Sequence, residues 1–132
     1  MVRGPDARDS APDMYFEFAR MDVYQAALDF VVVADQIAEA LPSGRAYLRD
    51  QLRRAANSIA ANLAEGVGEF APNDKARFYR ISRRSAVECA SHILVIDRLD
   101  LIDDALRDRG VELLQRIVAM LTNLVKRTLQ RR

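Results

Sequence analysis

The stretch QLRRAANSIAANLAEG, residues 51–66, decides the fold class of this chain. Gln51, Arg54, Ser58, Asn62 and Glu65 recur at steps of three or four residues, so on an α-helix they share one face. Leu52, Ala55, Ala56, Ile59 and Leu63 fill the adjoining face. The spacing predicts an amphipathic helix with a polar stripe that a plain surface helix would not need. Gly66 and Gly68 stand where a helix commonly ends.

The flanking segments carry the same period. Upstream, two apolar rows predict a first helix over Asp22–Leu41: Tyr24, Leu28, Val31 and Ala38, then Val23, Ala26, Phe30, Val33 and Ile37. Its polar remainder is narrow (Asp22, Gln25, Asp29, Gln36, Glu39), as expected of a helix covered on two sides, and this points to self-association. Pro42 stops it, and Ser43-Gly44 makes a turn into the second helix. Downstream, Asn73 or Asp74 can cap a third helix running to about Leu99. Its inner row reads Phe78, Ile81, Ser85, Cys89, His92, Ile96 and Leu99. After the turn at Leu101–Asp104 a fourth helix runs to about Leu129, with Leu114, Val118, Leu121 and Val125 facing inward. Gly110 lowers helix propensity by about 1 kcal/mol relative to alanine, which would move the start of this helix later. Short connections between four such helices favour an all-α, antiparallel up-down-up-down bundle over residues 21–132. Residues 1–20, with Gly4, Pro5 and Pro12 among polar neighbours, are expected to be a disordered tail.

Composition agrees with one globular domain: 132 residues, half of them hydrophobic and 30% charged. No signal-peptide core opens the chain and no apolar run nears the ~20 residues of a membrane span. The expected location is the cytoplasm, with no membrane contact. Net charge is only +1, so bulk charge does not call for nucleic acid, but its distribution is uneven. Lys75, Arg77, Arg80, Arg83 and Arg84 fall within residues 75–84 without one acid. Lys126, Arg127, Arg131 and Arg132 form a second basic run, while Asp97, Asp100, Asp103, Asp104 and Asp108 form an acidic one.

Catalytic chemistry finds little support. With one His and one Cys, the chain cannot assemble a zinc site or the paired Glu-x-x-His motifs of a di-iron bundle. Cys89 and His92 lie on the inner row, where a cysteine is usually an inert apolar residue. No phosphate-binding glycine loop is present, since Gly66-Val67-Gly68 ends a helix rather than opening one. No catalytic residue, metal ligand or cofactor is therefore assigned. Two groupings remain. Arg54, Ser58 and Asn62 on the second helix and Ser85, Glu88 and His92 on the third form a polar set that would fix the register of the two helices, or else line a ligand or partner site. Arg77, Arg80, Arg83 and Arg84 on the third helix, extended by Arg53, suit a phosphate backbone, with a solvated charged face as the plainer reading. Tyr79 is the aromatic placed to stack a base.

At this point the chain resembles the bacterial four-helix-bundle family called 23S rRNA intervening-sequence proteins, to which the accessory variability determinant proteins of diversity-generating retroelements are similar. The family's second helix reads approximately Q-L-R-R-A-x-x-S-I-x-x-N-I-A-E-G. Here Gln51, Leu52, Arg53, Arg54, Ala55, Ser58, Ile59, Asn62, Ala64, Glu65 and Gly66 match, with Leu63 for the isoleucine. A third-helix pattern, F-x-x-I-A-x-G-S-x-x-E-C-x-x-H-L, is met by Phe78, Ile81, Ser85, Glu88, Cys89 and His92. Met120, Leu121, Leu124 and Lys126 resemble the family's closing M-L-x-x-L-I-K. The chain departs at Ser82 for an alanine, at Arg84 and Asp100 for glycines, and at Glu69 for a basic residue. The resemblance implies an up-down bundle closing into a homopentameric ring, without catalysis. It also implies two possible settings, of which the retroelement members bind a reverse transcriptase and structured RNA. The sequence-level expectation is a non-catalytic homo-oligomeric scaffold for structured RNA, DNA or a ribonucleoprotein. Its alternative is a protein-interaction module with no nucleic-acid role.

Overall fold

The computed structural model describes residues 16–130. Residues 1–15 of the expected tail, and Arg131 and Arg132 of the second basic run, lie outside it. Among the described residues the fold is all-α, with four helices and no strand: α1 Asp22–Ala40, α2 Ala46–Gly68, α3 Pro72–Arg98 and α4 Asp104–Gln130. A 3-10 turn, Glu17–Arg20, falls in the stretch read as tail. It brings Phe18 edge-on to Tyr24 at the start of α1, with centroids 4.9 Å apart.

Helix ends follow local chemistry, and not always as the sequence reading had it. Leu41, held extended before Pro42, ends α1, and Arg49 of α2 donates to the freed carbonyls of Ala38 and Leu41. Gly44 takes the left-handed backbone of the turn, with φ 92°. Gly66 does not end α2. It lies inside the helix, which runs on to Gly68, and a Cβ there would run into the Tyr79 ring, so its role is close helix packing. Gly110 likewise sits inside α4, buried against Ile93, Val33 and Ile37. The α3 cap also differs from expectation. Pro72 is the first helical residue, Ala71 precedes it without a side-chain bond, and Asn73 and Asp74 lie within the first turn. Asp103 caps α4, accepting from the Leu106 N–H at 2.7 Å.

Each helix packs on its sequence neighbours and α4 returns to α1. The core is built from Phe30 and Ile37 of α1, Leu52, Ile59 and Leu63 of α2, Ile93 and Ile96 of α3, and Leu114, Ile117 and Leu121 of α4, all fully buried. Each contributes about 1.5–3 kcal/mol by leaving water. The inner row of α3 is corrected. Tyr79, Ser82, Ala86 and Ile93 are buried, whereas Phe78, Ile81 and His92 are half-buried and Leu99 is exposed. A row stepped by three and four drifts about 20° per seven residues on a 3.6-residue helix, so its ends swing away from the core, while His92 lies about 100° round the helix from the buried Ile93. On α4, Val118 and Val125 are only half-buried because they flank the buried stripe of Gly110, Leu114, Ile117 and Leu121. No helix among the described residues is long and apolar enough to cross a membrane.

Candidate functional site

The first half of α3 builds the more distinctive site. Lys, Ala and Arg are strong helix formers, so residues 75–84 hold a regular helix despite their like charges. Arg77, Arg80 and Arg84 step along its outer face, and with Arg83 they line one open depression that no carboxylate enters. Two of the four are held in place. The Arg77 guanidinium lies 4.9 Å from the centroid of the Phe78 ring. Arg83 Nε donates to Thr122 Oγ1 of α4 at 2.8 Å, and Thr122 donates its own hydroxyl hydrogen to the Val118 carbonyl at 2.8 Å. Arg80 and Arg84 are exposed and make no ion pair among the described residues.

Arg53 does not join this group. It sits in the groove between α1 and α2, where Asp35 and Glu39 both accept from its guanidinium. Hydrogen bonds to Glu39 and then Asp35 push its pKa up, and its charge is answered on the spot. Tyr79 is also removed from the surface. It is 4% exposed, packed against Gly66, and burial raises its hydroxyl pKa, so it cannot stack a base.

The polar set between α2 and α3 divides in two. Asn62 Nδ2 donates to Ser58 Oγ at 2.9 Å, Ser58 and Ser85 share a 2.8 Å bond, and Ser85 lies 3.1 Å from the Ile81 carbonyl. Each hydroxyl has one hydrogen; with that of Ser85 given to Ile81, Ser58 donates to Ser85. Every bond in this chain therefore runs one way across the helix pair. Ser82, which the sequence reading noted only as a substitution for alanine, adds a fully buried bond to the Ile59 carbonyl at 2.7 Å. Arg54, Glu88 and His92 stand apart. Arg54 is exposed with no bonded partner among the described residues. His92 and Glu88 pair with each other at 3.0 Å, and the Glu88 side chain is 58% exposed, so no buried carboxylate needs compensation. The reason is angular: Glu88 is turned from Ser85 towards the side of Arg84, away from α2.

Cys89 is wholly buried, and burial followed by the Glu88 charge pushes its thiol up to about 12, which leaves it protonated and unreactive at neutral pH. No group of three or more His, Cys, Asp or Glu among the described residues is arranged to hold a metal. Below the arginines, the outer face of α3 becomes apolar: Val87, Leu94, Val95 and Leu99 are 40–58% exposed. The sequence reading missed two contributors, Ser82 and Thr122. Both are small hydroxyl residues whose importance comes from a partner on another helix.

Fold and site together define a small all-α protein of four helices, with a basic helix face and a hydrogen-bonded seam between α2 and α3. The chain belongs to the 23S rRNA-intervening sequence protein family, whose sequence profile matches residues 19–123. A crystal structure of a protein with unknown function from the S23 ribosomal protein family of Bacteroides thetaiotaomicron VPI-5482 superposes with a TM-score of 0.73. The two are 20% identical, and the match covers 79% of this chain and 98% of that one, so what they share is the fold. A comparison with curated proteins gives no match. The family is not a known enzyme family.

Proposed function

We propose that the protein is a non-catalytic, self-associating scaffold that binds structured RNA or DNA, alone or within a ribonucleoprotein such as a reverse transcriptase complex, through the arginine face of α3. The observation that carries this reading is the depression lined by Arg77, Arg80, Arg83 and Arg84 and by no acid. Arg107, by contrast, is answered by Asp97, Asp104 and Asp108. An unanswered cluster attracts phosphates and releases their counterions. Arg53, tied to two carboxylates, is left out of the interface. The seam of Asn62, Ser58, Ser85 and Ser82 sets the register of α2 and α3.

The same reading includes an up-down-up-down order and a ring. Contacts recede along one helix as they advance along the next, which supports antiparallel neighbours: Ser58 meets Ser85 while Gly66 meets Tyr79, and Arg83 meets Thr122 while Asp97 meets Arg107. Assembly is supported by charge. α1 holds Asp22, Asp29, Asp35 and Glu39 and no Lys or Arg, with Asp35 and Glu39 already paired to Arg53, whereas α3 holds Lys75, Arg77, Arg80, Arg83, Arg84 and Arg98 against three acids. These two helices share neighbours and not a principal contact, so their outer faces point apart. Opposite charge on opposite sides favours head-to-tail pairing, which closes a ring when the rotation allows.

The test is a titration of labelled structured RNA at several salt concentrations. Affinity should fall steeply with salt, with log K against log salt losing about one unit of slope for each of Arg80→Ala and Arg84→Ala. Absent or salt-independent binding overturns the proposal. A second reading, a protein-docking module with no nucleic-acid role, is favoured by the exposed Val87, Leu94 and Val95. Under it, reversing the charge of Arg80 and Arg84 leaves RNA binding unchanged and disturbs assembly or protein capture.

A further inference from the structure

We infer that Thr122 of α4 is a positioning residue that turns the arginine depression into an oriented phosphate clamp, with Arg83 as its fixed arm; the ligand class rests on the nucleic-acid reading above. A guanidinium carries five N–H donors in one rigid plane. Arg83 spends its Nε–H on Thr122 Oγ1, which fixes the plane and leaves four donors on the two Nη groups for a phosphate. Thr122 cannot compete for those donors' ligand, because its own hydrogen is committed to the Val118 carbonyl. It therefore acts on Arg83 purely as an acceptor. Arg77, held over Phe78, is a second arm of limited freedom, while Arg80 and Arg84 supply mobile charge on the same wall. Lys126 follows Thr122 by one helical turn and is exposed, so the basic track continues from α3 onto α4. A long side chain that must be ordered on binding loses rotamer freedom; one already held loses less.

This division of labour makes the arginines unequal in a way that charge alone does not. Lysine keeps the charge but has no second nitrogen to hold Thr122 while it binds phosphate. Arg83→Lys and Thr122→Val should each weaken binding of a labelled RNA hairpin by about three- to tenfold with the salt slope retained. Arg80→Lys should leave affinity within about twofold, and Thr122→Ser should restore it. The double variant Arg83→Lys/Thr122→Val should cost no more than either single change, since both remove one interaction. In parallel, inorganic pyrophosphate is titrated into isotopically labelled protein, following the Arg83 Nε–H resonance, which should shift in the wild type and not in Thr122→Val.

Salt-dependent RNA binding that ignores Thr122→Val and Arg83→Lys overturns the clamp and leaves the scaffold proposal standing. Pyrophosphate binding that depends on Thr122, with no RNA binding, does the reverse. Binding of neither probe overturns both. Unchanged thermal unfolding of Thr122→Ser and Arg83→Lys is the check that the fold is intact in the comparison.

Discussion

Gly66 and Cys89 show how a side chain's role depends on what lies across from it. Gly66 is buried, and an added methyl would lie 2.4 Å and 2.6 Å from two ring carbons of Tyr79 and 3.1 Å from the Lys75 carbonyl. That ring is itself buried and has nowhere to retreat. Gly66→Ala should destabilise by about 1–3 kcal/mol in denaturant unfolding. Gly68, two residues on, has open space around it, and Gly68→Ala should instead stabilise by about 0.4–1 kcal/mol through the unfolded chain. The family pattern places a glycine at position 66; its meaning as a packing contact becomes visible only with Tyr79 in place. Cys89 gives a pH prediction. Its folded-state pKa is raised from 9.0 to about 12. The folded protein thus keeps a proton that the unfolded chain gives up in that interval. This contribution to stability is full below pH 9, is lost as pH rises towards 12, and should shrink in Cys89→Ala on alkaline unfolding. At pH 8 a thiol reagent should label the native protein slowly and the denatured one fast.

Helix ends separate what a local pattern can say from what it cannot. The start of α4 is local, because capping is a contact over three residues and Asp103 supplies it. The end of α3 is more informative. Leu101 N–H bonds the Ile96 carbonyl and Asp100 N–H bonds the Asp97 carbonyl, the closure that wants a left-handed residue after the helix. Asp100 occupies it with φ 60°. This accounts physically for the glycine that the family pattern carries there, and Asp100→Gly should stabilise by about 1 kcal/mol in the same unfolding assay. Gly110 was expected to delay α4. Its propensity cost is outweighed because the missing side chain lets α4 approach Ile93, Val33 and Ile37.

The molecule as a whole presents unlike faces. α1 is acidic around an exposed Val32, and α3 is basic at its start and apolar towards its end. Native mass measurement of the wild type should return a closed multiple, five copies by the family resemblance. Leu94→Glu should shift it towards monomer without lowering helix content, because Leu94 is 58% exposed within one chain. A monomeric wild type at working concentration would remove the ring from the proposal.

Periodicity was enough to give four helices, since it rests on contacts between residues three or four apart, and the residue identities of 51–66 were enough to give the family. They also placed Arg77, Arg80, Arg83 and Arg84 together, because one helix carries all four. They could not separate Arg53 from that group, nor divide the polar set into the Asn62–Ser58–Ser85 chain and the solvent-facing Glu88–His92 pair. They gave no sign that Tyr79 is closed off by Gly66 or that Thr122 holds Arg83. Each of those facts is a contact between helices, fixed by the angle at which two helices meet. Within one helix the sequence sets the order of the side chains; which of them find partners depends on how the neighbouring helix is rotated against it.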